Sequence, residues 1–169
     1  MLATPRSDPT TLMKIAFFVA LAAMVLRVVL LGAGRAPDPP FYMPVHLLAL
    51  VLIPFIAARA QLHGEPRSGM PQLFRVGFRA SALYILLTAA FLLAFYTWMD
   101  VTSFPVHINA LVDQAVAAGH PEADARARFE RFFTPFNYAG LSFFLLLLLG
   151  AFNTLLTTLL VHKVLRRMS

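Results

Sequence analysis

The chain contains no cysteine. That absence removes disulfides, thiolate nucleophiles, iron–sulfur clusters and c-type haem attachment together. Charge is scarce too: Asp, Glu, Lys and Arg make up 13% of the residues, where a soluble protein has about a quarter. Acids are the scarcer sign, 8 against 14 Lys and Arg. The hydrophobic fraction is 59%, the composition of a chain whose solvent is lipid. A length of 169 residues fits one domain. Four spans of about 20 residues each occupy roughly half of it and leave no room for a separate soluble catalytic domain.

Motifs of common chemistry are missing as well. No Walker-type, GxGxxG or HExxH pattern occurs. No Ser/His/Asp grouping offers a nucleophile with a positioned base. Paired acids inside an apolar run, expected of a proton-coupled carrier, are absent. No internal repeat supports an inverted-repeat transporter within the chain. The net charge of +6 and pI near 10.5 would point to nucleic acid in a soluble protein. Here no basic stripe is interleaved with aromatics, and Lys and Arg collect at the cytoplasmic ends of membrane proteins. The partner expected is therefore the lipid bilayer, with other membrane subunits or self-association, and no nucleic acid.

What is present is four apolar runs, at about 12–31, 44–60, 78–99 and 135–160. The first exceeds the apolar core of a signal peptide, about 7–15 residues, so a retained span is expected. Gly and Pro between Gly32 and Pro40 stop it. Pro44 suits the first turn of the second span, and Pro54 lies inside it. The third ends in Tyr96 and Trp98, rings expected at the headgroup level. Thr134 and Pro135 form a cap and a first-turn proline for the fourth. The long loop 100–133 holds two helix-like pieces. The first, His107–Ala118, carries an apolar stripe at spacings of three and four. Gly119 and His120 break it. After Pro121 the acids come early and the arginines late, an order that suits the helix dipole. The fold class expected is all-α: a four-span transmembrane helical bundle with a small extracytoplasmic helical hairpin between spans three and four.

Orientation follows from the basic residues. Arg6, Lys14, Arg59, Arg67, Arg75, Arg79, Lys163, Arg166 and Arg167 fall on one side; Arg35, Arg126, Arg128 and Arg131 fall on the other. Nine against four places both termini in the cytoplasm of a bacterial inner membrane. Asp38, Asp100, Asp113, Glu122, Asp124 and Glu130 fall opposite, and only Asp8 and Glu65 fall inside.

Four side chains are candidate polar contacts inside the membrane: Arg27, Asn153, Thr157 and His46. Arg27 sits about one to one and a half turns from the outer end of the first run. An arginine there costs several kcal/mol unless it snorkels outward, pairs with Asp38 or Asp100, or meets an anion, lipid phosphate or quinone headgroup. Asn153 and Thr157 are four apart and share a helical face. They can serve a substrate path, or simply interhelical bonding and bonds back to their own helix. His46 opens the second span. The histidines are split across the membrane, and His120, Glu122 and Asp124 suit a helix start better than a metal site, which needs three or four convergent ligands. No metal, no cofactor and no catalytic residue is assigned.

The stretch Arg59–Val101 resembles an uncharacterised four-helix membrane family common in Bacteroidota, known only as a domain of unknown function. There a basic Gly-containing loop precedes a phrase similar to Met70-Pro71-Gln72-Leu73-Phe74-Arg75-Val76-Gly77-Phe78. An aromatic-ended third helix, an acidic extracytoplasmic loop and a fourth helix with a basic tail such as Lys163–Arg167 follow. That family often has Asp-Pro after the third helix; here Val101 follows Asp100. The resemblance implies the topology and carries no activity or site residues.

Three functional readings follow. The first is a non-enzymatic accessory or scaffold subunit of a membrane complex. The second is a small oligomeric transporter or lipid-handling protein using Arg27 and Asn153. The third is a lipid-headgroup enzyme with His46 and His107 near Arg27.

Overall fold

The computed structural model describes residues 9–35 and 39–164, with side chains over 10–35 and 42–164. Arg6, Asp8, Asp38, Arg166 and Arg167 of the orientation count lie outside them. The described residues are all-α. The helices are α1 (Pro9–Gly32), α2 (Pro39–Gly64), α3 (Met70–Ala94), α4 (Ser103–Ala117), α5 (Glu122–Phe132) and α6 (Pro135–Lys163), with a π-turn at Phe95–Met99 between α3 and α4. Four of these segments are long and apolar enough to cross a membrane: Thr10–Gly32, Tyr42–Gly64, Met70–Met99 and Pro135–Lys163.

Local chemistry sets the helix ends. At α3 the Gln72 side chain accepts the Gly69 N–H at 2.9 Å, the backward arm of a capping box, and Pro71 sits in the first turn, where no intrahelical donor is needed. The helix therefore begins at Met70, eight residues before the apolar run predicted at 78. At α6 the Thr134 hydroxyl accepts the Asn137 N–H at 3.1 Å, the cap that the Thr-Pro pair predicts. α2 begins at Pro39, so Pro44 lies inside it. Being so near the start, Pro44 removes one intrahelical bond, and the helix runs on.

The chain divides into two compact units. One comprises the described residues up to 88 and from 144 onward, and contains α1, α2, most of α3 and most of α6. Buried positions in α2 (Tyr42, His46, Ala49, Leu50, Ile53, Ala57, Ala58, Leu62) recur at three and four, the stripe of a helix facing its neighbours. α1 turns Leu12, Ala16, Ala20 and Arg27 inward, at steps of four, four and seven that keep one face. Most of α1 remains uncovered: 17% of its most apolar window is buried, against 44% for α3. Phe18, Val29, Leu48, Leu148 and Phe152 are exposed, as lipid-facing groups are. In this unit α2, α3 and α6 approach closely. A Cβ on Gly77 meets Pro54 Cβ at 3.2 Å and Thr154 Cγ2 at 3.1 Å, and one on Gly150 meets Ile85 Cδ1 at 2.8 Å. Small residues at a contact let backbones approach and gain dispersion energy, which holds membrane helices together where lipid offers no hydrophobic drive.

The other unit, 89–143, holds the π-turn and the α4–α5 hairpin. Gly119, with φ of 88°, supplies the left-handed residue that ends α4. Glu122 and Asp124 open α5 and Arg131 closes it, which complements the dipole. Arg126 ties the hairpin, donating to Asn109 at 3.0 Å and to Glu122 at 3.3 Å. Trp98 is exposed, but Tyr96 differs from expectation: it is buried against Phe95, Phe104 and Tyr138. Edge contacts of this kind add stabilisation beyond area burial.

Buried Asp100 fastens the start of α4. Its carboxylate accepts the Ser103 N–H at 3.2 Å and the Ser103 hydroxyl at 2.6 Å. Asp100→Ala is expected to cost about 1–2 kcal/mol, and Asp100→Asn less, because the amide oxygen still accepts. Amide hydrogen exchange checks this: the first turn of α4 loses protection in Asp100→Ala and keeps most of it in Asp100→Asn.

Candidate functional site

The largest polar anomaly in the spanning unit gathers at one place. Arg27 is 3% exposed, and its guanidinium carbon lies 4.5 Å from the centroid of the Tyr42 ring. That is a cation–π contact, worth about 2 kcal/mol when desolvated. One turn along α2, His46 Nδ1 is 2.7 Å from the Tyr84 hydroxyl of α3. The imidazole also meets the Tyr42 and Tyr84 rings at centroid distances of 6.5 and 6.1 Å. Arginine, tyrosine, histidine and tyrosine thus form a buried polar group shared by α1, α2 and α3.

Helix geometry explains the grouping. Arg27 continues the inward face begun by Ala16 and Ala20, whose small side chains let α1 sit close. Tyr42 and His46 are four apart and share a face. Tyr84 is fully buried, and its hydroxyl sits in an interior where unmet polar groups are costly. On the same face of α3, Ser81 and Thr88 are buried, Thr88 one turn from Tyr84, and the Ser81 hydroxyl has no hydrogen-bond partner among the described residues. The same holds for the Tyr42 hydroxyl. The tyrosine that packs on the guanidinium therefore keeps an unused hydroxyl.

Asn153 and Thr157 stand apart from this group. Thr154 donates to the Gly150 carbonyl at 2.6 Å, and Thr157 to the Asn153 and Thr154 carbonyls at 2.8 and 3.1 Å. These hydroxyls are spent on their own helix. The Asn153 side chain is half-buried. His107 packs edge-on against Phe133 at 5.1 Å in the hairpin unit. No group of three or more His, Cys, Asp or Glu that could hold a metal occurs among the described residues.

Arg27 and His46 were both legible as candidates, and the structure brings them together through Tyr42. Tyr42 and Tyr84 were missed. The signal for Tyr42 was its spacing of four from His46, hidden by placing the helix start at Pro44. Tyr84 carried no local signal, since a tyrosine inside an apolar run is ordinary.

The chain matches no protein-family model, no curated protein and no solved structure.

Proposed function

We propose that the protein is a non-catalytic accessory or scaffold subunit of a larger membrane complex. It is multi-pass in a bacterial cytoplasmic membrane, with both termini cytoplasmic and the α4–α5 hairpin on the opposite side. One observation carries this reading. None of the four spans contains an acidic residue, and the Thr154 and Thr157 hydroxyls are bonded to their own helix. Coupled transport and acid–base catalysis draw on intramembrane carboxylates or relays. A scaffold needs only fixed helices and an outer apolar surface, which Phe18, Leu48, Leu148 and Phe152 supply. The orientation rests on the excess of Lys and Arg at one end.

The test is native mass spectrometry of the protein extracted gently from its own membrane. A defined assembly with another polypeptide is expected. A monomer in mild detergent that retains no other chain overturns the reading.

A second reading, lipid handling, is favoured by the unpartnered Tyr42 hydroxyl beside Arg27. In that case the same spectra show a reproducible small molecule or lipid in place of a protein partner.

A further inference from the structure

Helix α3 and the π-turn run from Met70 to Met99, 30 residues, or about 45 Å at the rise of an α-helix. The hydrocarbon core of a bilayer is about 30 Å thick. Ala80–Met99 carries no charged residue and is about long enough to cross that core alone. Met70–Arg79 is the overhang, and it lies at the headgroup level of whichever leaflet holds that end.

The overhang has a built face. Phe74 and Phe78 stack with centroids 5.7 Å apart and planes 6° from parallel. Beside them run Arg75 and Arg79, both exposed. With Met70 and Pro71 these side chains line a shallow groove of about 510 Å³. Neither arginine has an ion pair or hydrogen bond among the described residues. The buried cluster of Ala58, Leu62, Leu73 and Val161 gathers the ends of α2, α3 and α6 here, so exposed Arg59, Arg67 and Lys163 lie at the same end. The acid of the α2–α3 loop, Glu65, is engaged by Gln61 at 3.1 Å and Ser68 at 3.3 Å. The end is cationic, and its surface acid is already hydrogen-bonded.

We infer that the Arg75–Arg79 face, with the Phe74–Phe78 stack beside it, is a binding site for an anionic phospholipid. The phosphodiester lies between the two guanidiniums, which are one turn apart and can each form paired charge-assisted bonds with phosphate oxygens. The glycerol and upper acyl chain lie on the phenyl rings and Met70. Depth fits this assignment. Arg79 borders the uncharged stretch, and Arg75 is about 6 Å further out, which spans the headgroup layer. A free anion would use the arginines and leave the aromatic stack idle; a lipid uses both. The inference holds for either orientation and does not depend on the accessory role.

The experiment is native mass spectrometry of the full chain in a mild non-ionic detergent at low ionic strength, titrated with dioleoyl-phosphatidylglycerol or dioleoyl-phosphatidylcholine. The wild type is expected to prefer the glycerol lipid. Each arginine near an anionic surface contributes about fivefold, so Arg75→Gln/Arg79→Gln is expected to lose about thirtyfold and fall to the choline level. Arg75→Lys/Arg79→Lys keeps most of the preference, and Arg126→Gln/Arg128→Gln in the hairpin keeps all of it. Phe74→Ala/Phe78→Ala weakens both lipids. Equal wild-type affinity for the two lipids overturns the inference, as does a preference that survives Arg75→Gln/Arg79→Gln. Displacement of the lipid by millimolar inorganic phosphate overturns it too, because the site is then a simple anion site. Unchanged melting temperatures for the Arg75 and Arg79 variants, whose side chains are exposed, separate lost binding from lost fold.

Discussion

Gly77→Leu is expected to lower the stability of the spanning unit by about 3 kcal/mol, the upper end of what overpacking a tight interior costs. The Cβ alone meets Pro54 Cβ at 3.2 Å and Pro54 Cα at 3.4 Å. A proline ring and its backbone have no rotamer with which to retreat, so α2 and α3 must separate. The rest of the leucine then occupies space that Thr154 now fills. Intrinsic helix propensity acts the other way, since leucine favours a helix over glycine by up to about 1 kcal/mol; the sign therefore tests packing directly. Gly140→Leu is the control. Nothing lies within 4 Å of a Cβ there, and this variant is expected to melt at or slightly above the wild-type temperature. Size-exclusion melting in mild detergent reads both. If the two variants melt alike, close approach at Gly77 contributes nothing to the fold.

That contact also marks the boundary of what the sequence made legible. In the sequence Gly77 and Gly150 are no more than isolated small residues. Which helix each approaches is decided by pairings more than twenty residues apart, which no local pattern encodes. The four spans were legible because composition and run length reflect the solvent. Their ends were less so, because a membrane limit and a helix limit are different things. Arg75 and Arg79 end the apolar run, yet the helix continues to Met70, where Gln72 and Pro71 shape its first turn. Pro44 misled in the same way: it can begin a helix, but Pro39 already begins α2. In the loop the acids-then-arginines order of α5 was readable, whereas the inward turn of Tyr96 was not. Its burial depends on Phe104 and Tyr138 arriving from elsewhere in the chain. Among the site residues, Arg27 announced itself by being a charge in an apolar run, and His46 by opening a span. Their common partner Tyr42 required the true helix start.

Tyr84 gives the second large effect, and it separates packing from hydrogen bonding. It is among the largest fully buried side chains. Tyr84→Ala is expected to cost about 4 kcal/mol, the usual loss for emptying a buried aromatic site. Tyr84→Phe keeps the ring and removes only the hydroxyl that lies 2.7 Å from His46 Nδ1. It leaves a buried imidazole nitrogen unmet, and about 1–2 kcal/mol is expected to be lost. His46→Leu removes the imidazole partner of the Tyr84 hydroxyl and is expected to cost a similar amount. The double variant His46→Leu/Tyr84→Phe removes both polar groups, so its cost is expected to fall below the sum of the singles by about 1 kcal/mol or more. The cycle is measured by reversible unfolding in lipid–detergent bicelles. Additive losses would mean that the bond between α2 and α3 carries no net energy and that both residues act by shape alone. A favourable coupling means that the histidine fixes the register of α2 on α3. Tyr42, one turn before His46, lies against the Arg27 guanidinium at 4.5 Å, so the same register also sets the ring on which the buried arginine packs.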